Sequence, residues 1–99
     1  MQTMSAEVVK KMDMLMPCRR GLHLRVAARF VACIQKFRSR IQLKNGEVLA
    51  NAKSILDLIC LGATWRSKLE IEAVGDDAAQ ALESIKEFFN KENVNVDWP

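Results

Sequence analysis

Histidine occurs once in the 99 residues, aromatics make up only 6%, and the three cysteines include no Cys-x-x-Cys pair. Each shortage removes a class of protein. Cys18, Cys33 and Cys60 form an odd set, so no disulfide framework is expected and reduced thiols in a cytoplasm are the simple reading. One imidazole and three scattered thiols lack any zinc-ligand spacing, so no metal site is expected. No run of eighteen apolar residues is present, and the opening MQTMSAEVVKKMD has no apolar signal-peptide core. The expected location is therefore cytoplasmic, with no membrane partner. No ribonucleoprotein, zinc-finger or helix-turn-helix pattern occurs either, and with so few aromatics nucleic acid is not an expected partner.

What is present is a foldable chain, 49% hydrophobic and 27% charged, sized for one compact domain with no internal repeat or linker. The net charge of +3 conceals an asymmetry. Residues 1–45 carry ten Lys and Arg against two acids, and residues 46–99 carry five against ten. Such a split can steer an acidic partner or an anionic substrate toward the basic part. The alternative is a set of solvated faces of opposite sign.

The periodicities place the elements. VKKMDMLM, residues 9–16, alternates imperfectly and predicts a first strand that Pro17 ends. Ala27, Phe30, Val31, Ile34 and Phe37 fall at helical spacing, which predicts a helix from His23 to about Phe37. In RIQLKNGEVLAN, Ile41, Leu43 and Val48 alternate with polar residues around Asn45-Gly46, a pair able to supply two positive φ angles, so a two-residue hairpin is expected. Ser54 followed by Asp57 resembles a capping box for a short helix that Gly62 closes. Leu69, Ile71 and Ala73 alternate with Lys68, Glu70 and Glu72 in a half-buried strand. Asp76 or Asp77 then caps a last helix with the stripe Ala78, Ala81, Leu82, Ile85, Phe88 and Phe89. The order β-α-β-β-α-β-α gives a two-layer α+β sandwich, four strands covered on one face by three helices.

One stretch carries chemistry. In CRRGLHLRVAARF, His23 sits at a predicted helix start between arginines. Free backbone N–H groups and the positive end of the helix dipole suit an anion there, as do the arginines. The stretch is built to receive negative charge, with a nucleophile at its centre.

GLHLRVA, residues 21–27, resembles the G-[LIV]-H-A-R-P-A signature of the histidine-containing phosphocarrier family, HPr, of the bacterial sugar phosphotransferase system. KSILDLICLGA, residues 53–63, is similar to the family's K-S-I-x-x-[LV]-[ML]-x-L-G segment. The element order agrees from Val9 to Glu92, leaving residues 1–8 as a flexible extension and 93–99 as a loose tail. The resemblance implies an open-faced β-sandwich with antiparallel strand order 1-4-2-3. It also implies a monomer without cofactor, which takes a phosphoryl group from enzyme I and passes it to an enzyme IIA domain. Such a carrier has no independent turnover. His23 would be the acceptor, through Nδ1, and Arg25 would pair with the phosphoryl oxygens. Ser54 would be the regulatory site of an HPr kinase/phosphorylase, although a plain N-cap serine explains it equally. Leu24, Ala28, Ile55, Leu56 and Ile59 match positions of an apolar docking surface, with Leu58 the buried member of that helix.

Several residues depart from the pattern. Val26 stands for the family's proline, Leu24 for alanine, and Arg20 for a small polar residue. Trp65 replaces a polar loop residue and Arg66 a glycine; packing over a loop is the expected role of Trp65, with a partner anchor as the alternative. These departures fit a specialised carrier. They also leave room for a second class of function, a regulatory binding module acting on transcription factors or metabolic enzymes through its phosphorylation state.

Overall fold

The computed structural model describes residues 8–96, with side chains through Lys91. Strand β1 (Val9–Leu15) leads into helix α1 (Leu24–Ile34). The hairpin β2 (Arg40–Asn45) and β3 (Val48–Asn51) follows, then α2 (Ile55–Cys60), β4 (Lys68–Val74) and α3 (Ala78–Val96). The strands form one sheet in the order β1-β4-β2-β3, every neighbouring pair antiparallel. This is the expected four-stranded sheet with three helices.

Alternation decides which side of the sheet is covered. Met12 pairs with Ile71 and Met14 with Leu69, while Ile41 pairs with Ala73 and Leu43 with Ile71. One face therefore presents a continuous apolar surface to the helices. Phe30 of α1 meets Phe88 and Phe89 of α3 with ring centroids 5.4 Å away in both cases. Phe30 and Phe89 are fully buried; removing one such ring costs about 3–5 kcal/mol. On the open face Lys11 pairs with Glu72 and Lys68 with Asp13, at 3.7 Å in both cases. Opposite charges from the two halves of the sequence thus meet across β1 and β4.

Several boundaries differ from expectation. α1 stops at Ile34, with Gln35 as its C-cap and a turn closed by the Phe37 N–H on the Ile34 carbonyl. Phe37 still packs against the core from that turn, which is why the helical spacing runs through it. The hairpin turns on Gly46-Glu47, since Asn45 remains paired with Val48. Gly46 alone supplies a positive φ, 63°, the pattern of a II′ turn. Asn45 is held in the strand by that pairing and by its Nδ2 donating to the Leu61 carbonyl at 3.1 Å.

At the start of α3, the Ala81 N–H reaches the Asp77 carbonyl. The Asp77 carboxylate does not cap the helix. It accepts from the backbone N–H groups of Arg38 and Ser39 and from Ser39 Oγ, tying the α1–β2 turn to the helix. These bonds, the Ser39 hydroxyl first, lower the Asp77 pKa from the ordinary 3.8. Helix α3 also continues to Val96, into the segment 93–99 expected to be loose. No glycine or proline occurs between Gly75 and Pro99, so nothing stops the helix at Glu92. Residues 1–7 of the expected extension, and Trp98, lie outside the described residues.

Candidate functional site

The segment between β1 and α1 is shaped by the loop that precedes β4. Pairing of those two strands brings them side by side: the Met16 N–H donates to the Ser67 carbonyl, Arg66 N–H to Met16, and Leu22 N–H to Ala63. Gly21 closes a turn onto the Cys18 carbonyl at 2.9 Å with φ of 74°. A β-carbon on Gly21 would overlap the Ala63 carbonyl, so only glycine permits this approach. Cys18 and Leu22 are buried beneath the turn. The thiol nearest His23 in sequence is thus covered, while Cys60 on α2 is exposed.

This anchoring delivers His23 to the N-cap of α1 in extended conformation, φ −88° and ψ 176°. The first helical bond runs from the Ala27 N–H to the His23 carbonyl, at 2.8 Å. The amides of Leu24, Arg25 and Val26 precede that bond and have no acceptor within the helix. An N-cap side chain ordinarily takes one of them; the His23 side chain takes none. The imidazole is half-buried, and its Nε2 is buried without a hydrogen-bond partner. Nδ1 makes no hydrogen bond to any described residue. Arg25, at the second helical position, is exposed and makes no ion pair among the described residues.

The surroundings carry one sign of charge. No acidic residue occurs between Asp13 and Glu47 or between Asp57 and Glu70, the stretches that supply both loops and α1. Arg19 and Arg66 lie over the Trp65 ring, 5.2 Å and 4.3 Å from its centroid, within cation–π range. Trp65 is 42% exposed. No local pattern signals this grouping, because Arg19 and Trp65 meet only through β1–β4 pairing.

Ser54 is the N-cap of α2, where its Oγ accepts from the Asp57 N–H at 3.1 Å. Only half of the expected capping box forms. Asp57 Oδ2 accepts from the Asn51 N–H, and the Ser54 N–H goes to the Asn51 carbonyl. Leu58 is fully buried, as expected, whereas Leu24 is 63% and Leu56 71% exposed, and Ile55 and Ile59 are also exposed. Ala28 is half-buried. Helices α1 and α2, which carry these five residues, pack on each other. A hollow of about 590 Å³, lined by residues that include Arg38, Arg40 and Lys53, lies along β2 and β3 and excludes His23.

A half-buried imidazole thus sits at the N-terminus of the first helix of a four-stranded antiparallel open sandwich. Residues 10–91 match the model of the PTS-HPr family, described as the PTS HPr component phosphorylation site. The chain belongs to the HPr family. It is 37% identical over 71 residues to the phosphocarrier protein HPr of Treponema pallidum, covering 72% of this chain and 81% of that one. It is 41% identical over 69 residues to a multiphosphoryl transfer protein of Haemophilus influenzae, covering 66% of this chain but only 14% of that longer protein. Among solved structures, HPr-C-His of Thermoanaerobacter tengcongensis superposes with a TM-score of 0.79 at 29% identity, covering 87% of this chain and 96% of that one. Among the described residues no helix is long and apolar enough to cross a membrane.

Proposed function

We propose that the protein is a stoichiometric phosphocarrier that takes a phosphoryl group onto His23 Nδ1 from enzyme I and hands it to an enzyme IIA domain. The Nδ1 lone pair attacks phosphorus, an N–P bond forms, and the donor–phosphorus bond breaks with its electron pair returning to the donor. The proton on Nε2 stays in place. The amides of Leu24, Arg25 and Val26 and the Arg25 guanidinium hold the phosphoryl oxygens, as a helix start favours a dianion. Val26 contributes an N–H that a proline at that position lacks. The partner aligns donor and acceptor, and the carrier has no turnover of its own.

The observation that carries this reading is the N-cap histidine that caps nothing, with one nitrogen sealed and the other unengaged. A pure binding module has no use for that arrangement. Leu24, Ala28, Ile55, Leu56 and Ile59 form the docking surface for both partners, and Ser54, where a kinase acts, is the regulatory position; the working location is the cytoplasm. Intact-mass spectrometry tests the core of the proposal. Enzyme I, phosphoenolpyruvate and Mg²⁺ are expected to add an acid-labile group of ~80 Da, and His23→Ala to show no gain.

A further inference from the structure

Strand β1 lies at the edge of the sheet, with β4 on one side and no strand on the other among the described residues. The ladder shows which of its backbone groups are free. One step beyond either end of the β1–β4 register, the Gly75 N–H donates to the Val8 carbonyl and the Met16 N–H to the Ser67 carbonyl. Even-numbered residues of β1 therefore bond to β4, and the N–H and C=O groups of Val9, Lys11, Asp13 and Leu15 point away from the sheet. All four residues are exposed. A hollow of about 320 Å³, lined by Met12, Asp13 and Met14 with Lys86 and Asn90 of α3, lies at this edge. Unpaired groups along an open edge are a template for another strand.

We propose that β1 pairs antiparallel with β1 of a second copy of this chain, about a two-fold axis at Met12. The strand's own residues select that occupant and that register. With the axis at Met12, Lys11 of each chain stands opposite Asp13 of the other, and Val9 opposite Leu15. These are the residues whose outward groups exchange bonds in pairs. Opposite charges, and apolar side chains, set directly across a ladder are favourable. Moving the axis to Lys11 or Asp13 keeps the bonding parity but sets two like charges face to face. Moving it further shortens the overlap. Lysine at an edge ordinarily deters pairing; in this register Lys11 meets a carboxylate instead. Val9 and Leu15, 49% and 59% exposed, cover each other on the open face. There the Lys11–Glu72 and Asp13–Lys68 pairs of the two sheets join in one alternating row. Helix α2 packs against β3, at the far edge of the sheet, so the exposed side chains of α2 stay free in the pair. An interface built on one short strand is weak and concentration-dependent, in contrast to the monomer that the family resemblance implies.

Sedimentation velocity of the full chain from ~10 µM to ~1 mM tests the pairing. The average mass is expected to rise from one chain toward two. Asp13→Pro removes an outward N–H and the carboxylate but no bond to β4. It is expected to stay a single chain throughout, with Tm by circular dichroism close to the parent. Lys11→Glu sets two acids opposite each other and is expected to abolish association as well. Combining Lys11→Glu with Asp13→Lys is expected to restore it to within about threefold of the parent Kd, since opposite charges face each other again. That rescue reads the register, which a change in stability alone does not move, and it decides the matter if Asp13→Pro fails to fold. A parent that remains a single chain at ~1 mM overturns the proposal. So does a dimer that persists in both single variants, as an exchange of whole strands would give, or a double variant that does not regain association.

Discussion

The starts of α1 and α2 are both occupied by N-cap residues in extended backbone, yet they are finished differently. Ser54 satisfies its own helix, its hydroxyl taking the Asp57 amide while the Asp57 carboxylate secures the strand end at Asn51. His23 leaves its helix open: no cap bond is made, and Nε2 is buried unpartnered. A cap that bonds its own backbone contributes stability, typically about 1 kcal/mol. A cap that does not forgoes that and keeps its donors for something else. The comparison separates a helix start closed by its own side chain from one left open within a single small domain.

Substitutions can break or sharpen that contrast. His23→Ala has the largest effect: phosphoryl acceptance disappears, while Tm, followed by circular dichroism, stays close to the parent because no cap bond is lost. Arg25→Ala comes next. The loss of one charged donor to the phosphoryl oxygens is expected to slow transfer about 100-fold, measured by rapid-quench labelling, again with little change in Tm. Ser54→Ala acts in the opposite sense, costing about 1 kcal/mol in urea unfolding with the rate of labelling at His23 unchanged. If Ser54→Ala slowed labelling as strongly as Arg25→Ala, the division between the two helix starts would be wrong.

The smallest effect concerns the third helix start, where Asp77 serves neither purpose but ties down the α1–β2 turn. Its folded pKa lies below the unfolded value near 3.8. The stabilisation is therefore fully present above that value and is lost as pH falls through the lower folded pKa. Asp77→Asn is expected to lower Tm at neutral pH, and the gap to the parent to close below the ordinary carboxylate range. A gap that persists to the acid limit contradicts the assignment.

Local patterns carried much of this structure. Alternation in residues 68–74 and helical spacing in residues 78–89 depend on burial of one face, so they survive intact in the fold. The short motifs around His23 and Ser54 pointed to both helix starts. Details that depend on distant partners were not legible. The hairpin turns one residue later than the Asn-Gly pair suggests because Leu61 holds Asn45 in its strand. The Asp77 carboxylate faces Ser39, whose position is set by the preceding turn. Arg19 and Trp65 are stacked by a strand pairing that no local spacing encodes.

The most direct measurement locates the phosphorus. Protein carrying ¹⁵N in its one imidazole, loaded by enzyme I and phosphoenolpyruvate, is expected to show phosphorus–nitrogen coupling at Nδ1 of His23, with Nε2 still protonated. A phosphoryl group found on Nε2, or on any residue other than His23, contradicts the account.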